Sequence, residues 1–125
     1  MTSRKRGNYF GTEIDRAWYK RFREDGFFAR GNGELWLEEE GLYFLRMLTK
    51  KPLRVRWDEM TGVRLGKWHA GRWAAGRPVL KVDFNRGGRK LSAGFLLSKS
   101  WAEMEGFAND LSRKVDIVAV DAAAG

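Results

Sequence analysis

The sequence predicts a mainly β domain of the α+β class, with about seven short antiparallel strands and one helix at each end. The first observation is that apolar and polar residues alternate along several short segments, which is the period of a half-buried strand. The second is that turns rich in Gly, Asn and charged residues separate these segments. The third is that apolar residues change to spacings of three and four at both ends, which is the helical period.

The N-terminal helix is predicted at residues 12–24. Thr12 and Asp15 stand three places apart, as in a capping box. The apolar residues that follow recur at a spacing of four: Ile14, Trp18 and Phe22. Their shared face suits docking on the sheet, which we favour, and the basic opposite face would also suit an anionic membrane surface. Before this helix, residues 1–11 are expected to form a flexible basic N-terminus.

The central region is predicted to be a series of strands joined by tight turns. In chain order the strands are residues 27–30, 33–38, 41–48, 53–57, 60–68, 78–84 and 89–97. The fourth alternates most clearly, since its apolar residues fall on one face and its two arginines, Arg54 and Arg56, fall on the other. The last two are joined by Asn-Arg-Gly-Gly, a sequence typical of a hairpin turn.

The C-terminal helix is predicted at residues 100–115. Ser100 and Glu103 form a capping box at its start. Its apolar residues fall on one face: Trp101, Met104, Phe107, Ala108, Leu111 and Val115. Such a stripe predicts a helix that covers the open end of the sheet. We expect one domain over residues 12–115, followed by a flexible tail over 116–125.

This order of elements resembles the pleckstrin-homology-like (PH-like) superfold, and within it the compact GRAM-like and bacterial PH-like domains. Three segments carry the resemblance: GELWLEEEGLYFLRM, the strand 54–57 leading into DEMTGVRL, and the helix SWAEMEGFANDL. Together they extend over roughly residues 27–115. The resemblance implies a barrel or sandwich with a capping helix, and a binding or adaptor module that recognises a protein segment or an anionic membrane surface.

The charge and composition of the chain limit its partners. The formal net charge is +8, which attracts polyanions such as nucleic acid, anionic lipid or an acidic protein. The chain has no cysteine, which excludes disulfides and fits a cytoplasmic protein. It has no apolar run of about 20 residues, as a membrane span needs. We therefore expect a cytoplasmic location, with a peripheral position at the inner membrane face as a variant of it.

Catalytic and metal-binding constellations are not apparent. His69 is the only histidine and there is no cysteine, so the common zinc ligand sets are missing. The acidic run at residues 38–40 is expected to be a solvated hairpin tip. We therefore expect no enzyme, no metal and no small-molecule cofactor, and we interpret His69 as a hydrogen-bonded loop residue.

The candidate binding site lies in the segment GKWHAGRWAAGRPVL, residues 66–80, together with the basic strand and turn before it. Loops on a rigid β scaffold commonly carry function, and Trp and Arg are enriched at binding hot spots. The candidate residues are Lys50, Lys51, Arg54, Arg56, Lys67, Trp68, Arg72, Trp73 and Arg77. Two positions of Trp73 stay open at this point: folded inward as a lid, or projecting outward as an anchor.

The PH-like resemblance also implies basic residues around the early strand loops as an anion site. The positions that correspond here are Arg30, Arg46, Lys50 and Lys51. The first hairpin, however, carries four glutamates, which argues against inositol-phosphate binding. Nucleic-acid binding through basic residues and aromatic rings is the alternative function. The identity of the partner and the oligomeric state stay open.

Overall fold

The computed structural model describes residues 4–24, 27 and 30–124, with side chains as far as Asp116. The protein is mainly β, with one C-terminal helix. In chain order its elements are β1 (Lys5–Ile14), β2 (Ala17–Arg21), β3 (Gly31–Leu37), β4 (Gly41–Arg46), β5 (Leu53–Arg56), β6 (Met60–Gly66), β7 (Trp68–His69), β8 (Arg72–Trp73), β9 (Val79–Arg86), β10 (Arg89–Leu96) and α1 (Trp101–Ala124).

The sheet is antiparallel and open, and β1 lies at its centre. Seven strands follow the order β5-β4-β3-β1-β10-β9-β6, and β2 pairs with β1 beside this path. The first half of β1 pairs with β3, and the part from Asn8 to Ile14 pairs with β10. The strands β7 and β8 form a separate two-stranded hairpin, and α1 packs against β6.

The core lies between the inner face of the sheet and the helix. Tyr9 of β1 contacts the rings of Phe44 and Phe95, with centroids 6.1 and 5.5 Å apart. From α1, three residues of the predicted stripe are buried in the same cluster: Met104, Ala108 and Leu111. The helical period at the C-terminus therefore identified the face that covers the sheet. Ser100 caps this helix, since its Oγ accepts a hydrogen bond from the Glu103 amide at 3.1 Å.

The predicted N-terminal helix over residues 12–24 is wrong. The chain forms the end of β1, a tight turn and β2 instead, and Trp18 is exposed rather than docked. The pairing of β1 on both of its sides satisfies more backbone groups than an isolated helix would, so tertiary pairing overrides the local pattern. Thr12, expected to cap the helix, is buried and its hydroxyl lies 2.5 Å from the Tyr9 hydroxyl.

The predicted boundaries at the two ends also change. Residues 5–11, which we expected in a flexible N-terminus, belong to the central strand. Helix α1 continues through Ala124, beyond the predicted end at residue 115. Two residues of the strand predicted at 27–30, residues 28 and 29, lie outside the described residues. The strand predicted at 60–68 ends at Gly66, because the chain turns there into the β7–β8 hairpin.

Two hairpins reverse through two-residue turns that lack the usual Asn-Gly sequence. Ile14 pairs with Ala17, and the turn residues Asp15 and Arg16 have φ angles of 54° and 57°. In the second hairpin, the turn residues Ala70 and Gly71 have φ angles of 54° and 77°. Positive φ at both central positions is the type I′ geometry that matches the twist of a hairpin. Because three of these four residues are not glycine, the sequence carried little signal for either turn.

Leu48→Gly is expected to raise the free energy of unfolding by about 1 kcal/mol. Leu48 follows β4 with a φ of 65°, a region in which a Cβ atom is strained, and its side chain is fully exposed. Urea denaturation measures the change. Leu48→Ala is the matched control, because it removes the same apolar surface but keeps the Cβ, and it should give no gain. Equal stability of the two variants would show that the backbone is not strained.

Candidate functional site

The β7–β8 hairpin folds back over the outer face of the sheet, beside β1 and β9. Its turn is tied to β1, since the Ala70 amide donates a hydrogen bond to Glu13 Oε2 at 2.7 Å. Arg21 and Arg30 both donate to the Ala70 carbonyl oxygen. Behind the hairpin, a second small core forms from Phe10, Ala74 and Val79. The hairpin is therefore a fixed part of the fold rather than a free loop.

His69 is the buried centre of this arrangement. Its side chain has no exposed surface, and its Nε2 donates a hydrogen bond to the Gly11 carbonyl at 3.1 Å. This bond assigns the proton of the neutral ring to Nε2, so Nδ1 is an acceptor. Nδ1 has no hydrogen-bond partner and lies 3.8 Å from Glu13 Oε1. Burial lowers the pKa of His69 to about 4, although the Glu13 carboxylate favours the charged ring.

A glycine makes the room for this ring. A Cβ atom added at Gly94 of β10 would lie 2.2 Å from His69 Cδ2. The imidazole therefore lies directly against the backbone of β10. Sequence reasoning interpreted His69 as a hydrogen-bonded loop residue, and the structure confirms the bond but places the ring inside the protein.

Beside His69, a groove of about 540 Å³ opens between the two hairpins; we call it the indole groove. Its rim carries the indoles of Trp18 from β2 and Trp68 from β7. A Cβ at Gly71 would lie 3.1 Å from the Trp18 ring, so this indole rests on the turn of the other hairpin. The remaining walls come from Glu13, Arg16, Arg64, His69, Ala70 and Lys81.

The cations of the indole groove differ in their pairing. Arg64 binds Asp83 through two hydrogen bonds of 2.7 and 2.8 Å, and Arg16 adds a third at 3.2 Å. Burial acts to raise the pKa of Asp83, but the hydrogen bonds from Arg64 and Ser92 hold it below its usual range. Burial lowers the pKa of Lys81, whose ammonium group has no ion-pair partner among the described residues.

Four exposed aromatic rings lie on the two hairpins. Trp18 and Tyr19 of β2 are 64% and 66% exposed, and Trp68 and Trp73 of the β7–β8 hairpin are 59% and 57% exposed. The last two are cross-strand partners with ring centroids 6.2 Å apart. The open question about Trp73 is therefore decided in favour of the outward position.

The other candidate residues of the hairpin segment surround these rings. Lys67 and Arg72 are exposed, and Arg77 is half-buried with its Nε bound to the Ala74 carbonyl at 2.7 Å. Arg72 lies over the Phe10 ring and donates to Asn8 Oδ1 at 3.3 Å. Arg72 therefore contacts β1, whereas Trp68 and Trp73 form an exposed cross-strand pair.

The candidate residues of β5 lie elsewhere. Arg54 and Arg56 line a separate groove with Lys51 and Arg86. Arg56 is paired with Asp58 at 3.2 Å and with Glu59 at 3.7 Å, so its charge is already partly satisfied. The residues that line this groove include none of the hairpin segment. The nine candidate residues therefore do not form one site.

A comparison of the chain with known protein families and with curated proteins gives no match. Over residues 4–24, 27 and 30–124, no group of three or more His, Cys, Asp or Glu side chains has an arrangement able to hold a metal ion. In the same part of the chain, no helix is both long enough and apolar enough to cross a membrane.

The candidate site chosen from the sequence did not include the residues that line the indole groove from β1, β2 and β9: Glu13, Trp18 and Lys81. Trp18 was assigned to the docking face of a helix, and Glu13 was not considered. Only the pairing of β1 with β2 and β10 brings them beside the second hairpin. An available signal was the density of Trp in two segments that are each flanked by basic residues.

Proposed function

We propose that this protein is a non-enzymatic binding module of the PH-like kind that docks on an anionic membrane surface. The architecture supports the PH-like part of the proposal. Seven antiparallel strands follow one path and a C-terminal helix covers the core, as that resemblance implies. Strand β2 and the β7–β8 hairpin are additions to that plan.

The observation that carries the proposal is a strip of exposed apolar and basic side chains; we call it the docking strip. It consists of Met47, Leu48, Lys50, Lys51, Arg72 and Trp73. Met47 shares a shallow groove with Asn8, and Arg72 binds that same asparagine, so the β4–β5 turn and the hairpin adjoin. Leu48 is fully exposed at the tip of the turn, and two lysines follow it closely.

An anionic membrane matches this chemistry better than nucleic acid does. Trp prefers the membrane interface, aliphatic tips insert below it, and lysines meet the lipid phosphates. Met47 and Leu48 offer no ring on which a base could stack. The Trp68 and Trp73 rings lie beside each other, with centroids 6.2 Å apart and an angle of 31° between their planes, so each partly shields the other. Base stacking along a strand would need free ring faces.

Co-sedimentation with vesicles tests the proposal. The protein is expected to bind vesicles of phosphatidylglycerol and phosphatidylcholine, and to bind pure phosphatidylcholine much more weakly. Met47→Ser with Leu48→Ser should weaken binding by at least about tenfold, because the inserted apolar surface is lost. Lys50→Gln with Lys51→Gln should weaken it by about thirtyfold, at roughly 1 kcal/mol per lysine.

The control for the lysine pair is Lys90→Gln with Lys99→Gln, which lowers the net charge equally at exposed positions outside the strip. It should retain most of the binding. Equal losses for the two pairs would reduce the interaction to net charge alone and refute the docking strip. Tight binding to single-stranded DNA that falls steeply with salt, without vesicle binding, would favour the nucleic-acid alternative.

A further inference from the structure

We propose that the indole groove binds a small planar carboxylate: a flat aromatic ring that carries one negative charge and one hydrogen-bond donor. The inference is independent of the membrane proposal, because the groove and the docking strip share no residue. It starts from two unsatisfied polar groups of the protein: the Lys81 ammonium in the wall of the groove and the buried Nδ1 atom of His69 behind that wall.

The first unsatisfied group is the ammonium of Lys81. The side chain is half-buried, and its stem crosses Gly66, where an added Cβ would lie 2.9 Å from Lys81 Cε. A lysine held this way loses hydration without gaining an ion pair. Glu13 is engaged by the Ala70 amide, and Asp83 is engaged by Arg64 and Arg16.

The charges around the groove leave room for one anion. Three cations, Arg16, Arg64 and Lys81, face two carboxylates, Glu13 and Asp83. The difference is one positive charge, and it resides on the cation that lacks a partner. A carboxylate of the ligand beside Lys81 would neutralise it through a charge-assisted hydrogen bond.

The second unsatisfied group is Nδ1 of His69. Among the described side chains it is the buried nitrogen or oxygen atom that has no hydrogen-bond partner. Since Nε2 carries the proton toward Gly11, Nδ1 is an acceptor, and it faces another acceptor, Glu13 Oε1, at 3.8 Å. A hydroxyl or N–H group of a ligand would supply the donor that this corner lacks.

The indoles of Trp18 and Trp68 favour a ligand with a flat aromatic ring. Trp18 and Trp68 stand at the rim on different hairpins and are each more than half exposed. Aromatic rings of a ligand gain both buried area and ring contacts against such side chains. The groove volume of about 540 Å³ lies within the range of small-molecule sites. A ring system with a carboxylate at one end and a donor at the other therefore matches the groove.

A set of three related probes tests this site: 6-hydroxy-2-naphthoate, 2-naphthoate without the donor, and naphthalene-2,6-diol without the charge. Calorimetry and two-dimensional NMR of the indole N–H groups follow their binding. The hydroxynaphthoate should bind with a Kd below about 1 mM and shift the signals of Trp18 and Trp68. The diol should bind at least about tenfold more weakly, and 2-naphthoate several-fold more weakly.

Matched variants separate the groove from general adhesion. Lys81→Gln should weaken the hydroxynaphthoate by about tenfold, whereas Lys99→Gln should leave its affinity unchanged. Trp18→Leu should weaken it, while Tyr19→Leu, which changes a neighbouring ring outside the groove, should not. The proposal is overturned if the indole N–H signals do not shift at probe concentrations several times higher than about 1 mM. It is also overturned if Lys81→Gln and Lys99→Gln change the affinity equally. The comparison of the three probes uses only the unsubstituted protein. It therefore tests the proposal even if a substitution disturbs the fold.

Discussion

Acidification from pH 7 to pH 5 is expected to lower the free energy of unfolding by about 2 kcal/mol through His69 alone. Burial lowers the pKa of His69 from its ordinary 6.5 to about 4 in the folded protein. Between these two pH values the unfolded chain binds the proton and the folded chain does not. The stability contributed by the neutral ring is therefore complete above pH 6.5, and it decreases as the pH falls toward 4.

The measurement is urea denaturation at pH 7 and pH 5. Burial acts to raise the pKa values of Glu59 and Asp83, but hydrogen bonds from Arg86 and Arg64 hold them below their usual range. These carboxylates therefore stay ionised over this interval. The groups that face His69 are the Glu13 carboxylate of β1 and the Lys81 ammonium of β9, and neither removes the penalty of burial.

His69→Gln is the control for this titration. The Gln amide is able to donate to the Gly11 carbonyl as Nε2 does, but it takes up no proton in this range. The variant should have nearly equal stability at pH 7 and pH 5. If the variant keeps the pH dependence of the parent protein, another group causes it, and the buried neutral state of His69 is wrong.

Gly94→Ala is expected to destabilise the protein by about 1–3 kcal/mol and to release the β7–β8 hairpin from the sheet. The added methyl group would lie 2.2 Å from His69 Cδ2 and 2.8 Å from His69 Nε2. The ring must leave its place, and the bond to the Gly11 carbonyl is lost with it. The Ala70 amide should then exchange faster with solvent, and the pKa of His69 should return toward 6.5.

The matched control is Gly106→Ala in α1. A Cβ at this position meets no atom within 4 Å, and alanine favours the helix over glycine by about 1 kcal/mol, so stability should rise. The double variant Gly94→Ala with His69→Ala should recover part of the loss, because the new methyl group then occupies the space of the ring. If the double variant recovers none of the lost stability, the contact between Gly94 and His69 does not hold the hairpin on the sheet.

The candidate site was only partly predictable. Trp68, Arg72 and Trp73 were chosen because a Trp- and Arg-rich segment lies between two strands, and all three lie on the β7–β8 hairpin. The indole groove was not predicted, because Glu13 and Ala70 are 57 residues apart in the chain and meet through a hydrogen bond. The spacing of residues within β1 or within the hairpin segment does not predict that hydrogen bond.

The sequence by itself determined the mainly β class, most of the strands from β3 onward and the buried face of α1. The direction of each side chain follows from the local period of the strand or helix. The spacing of apolar residues therefore shows which face of an element is buried. Only the tertiary structure decided the fate of residues 5–24. Their spacing of four is helical, but β1 gains backbone partners on both sides, from β3 and β10, and a two-residue turn at Asp15 and Arg16 starts β2. The backbone hydrogen bonds of β1 are made with residues far away in the chain, so no local pattern predicts them. The turn at Asp15 and Arg16 then brings Trp18 to the groove beside His69.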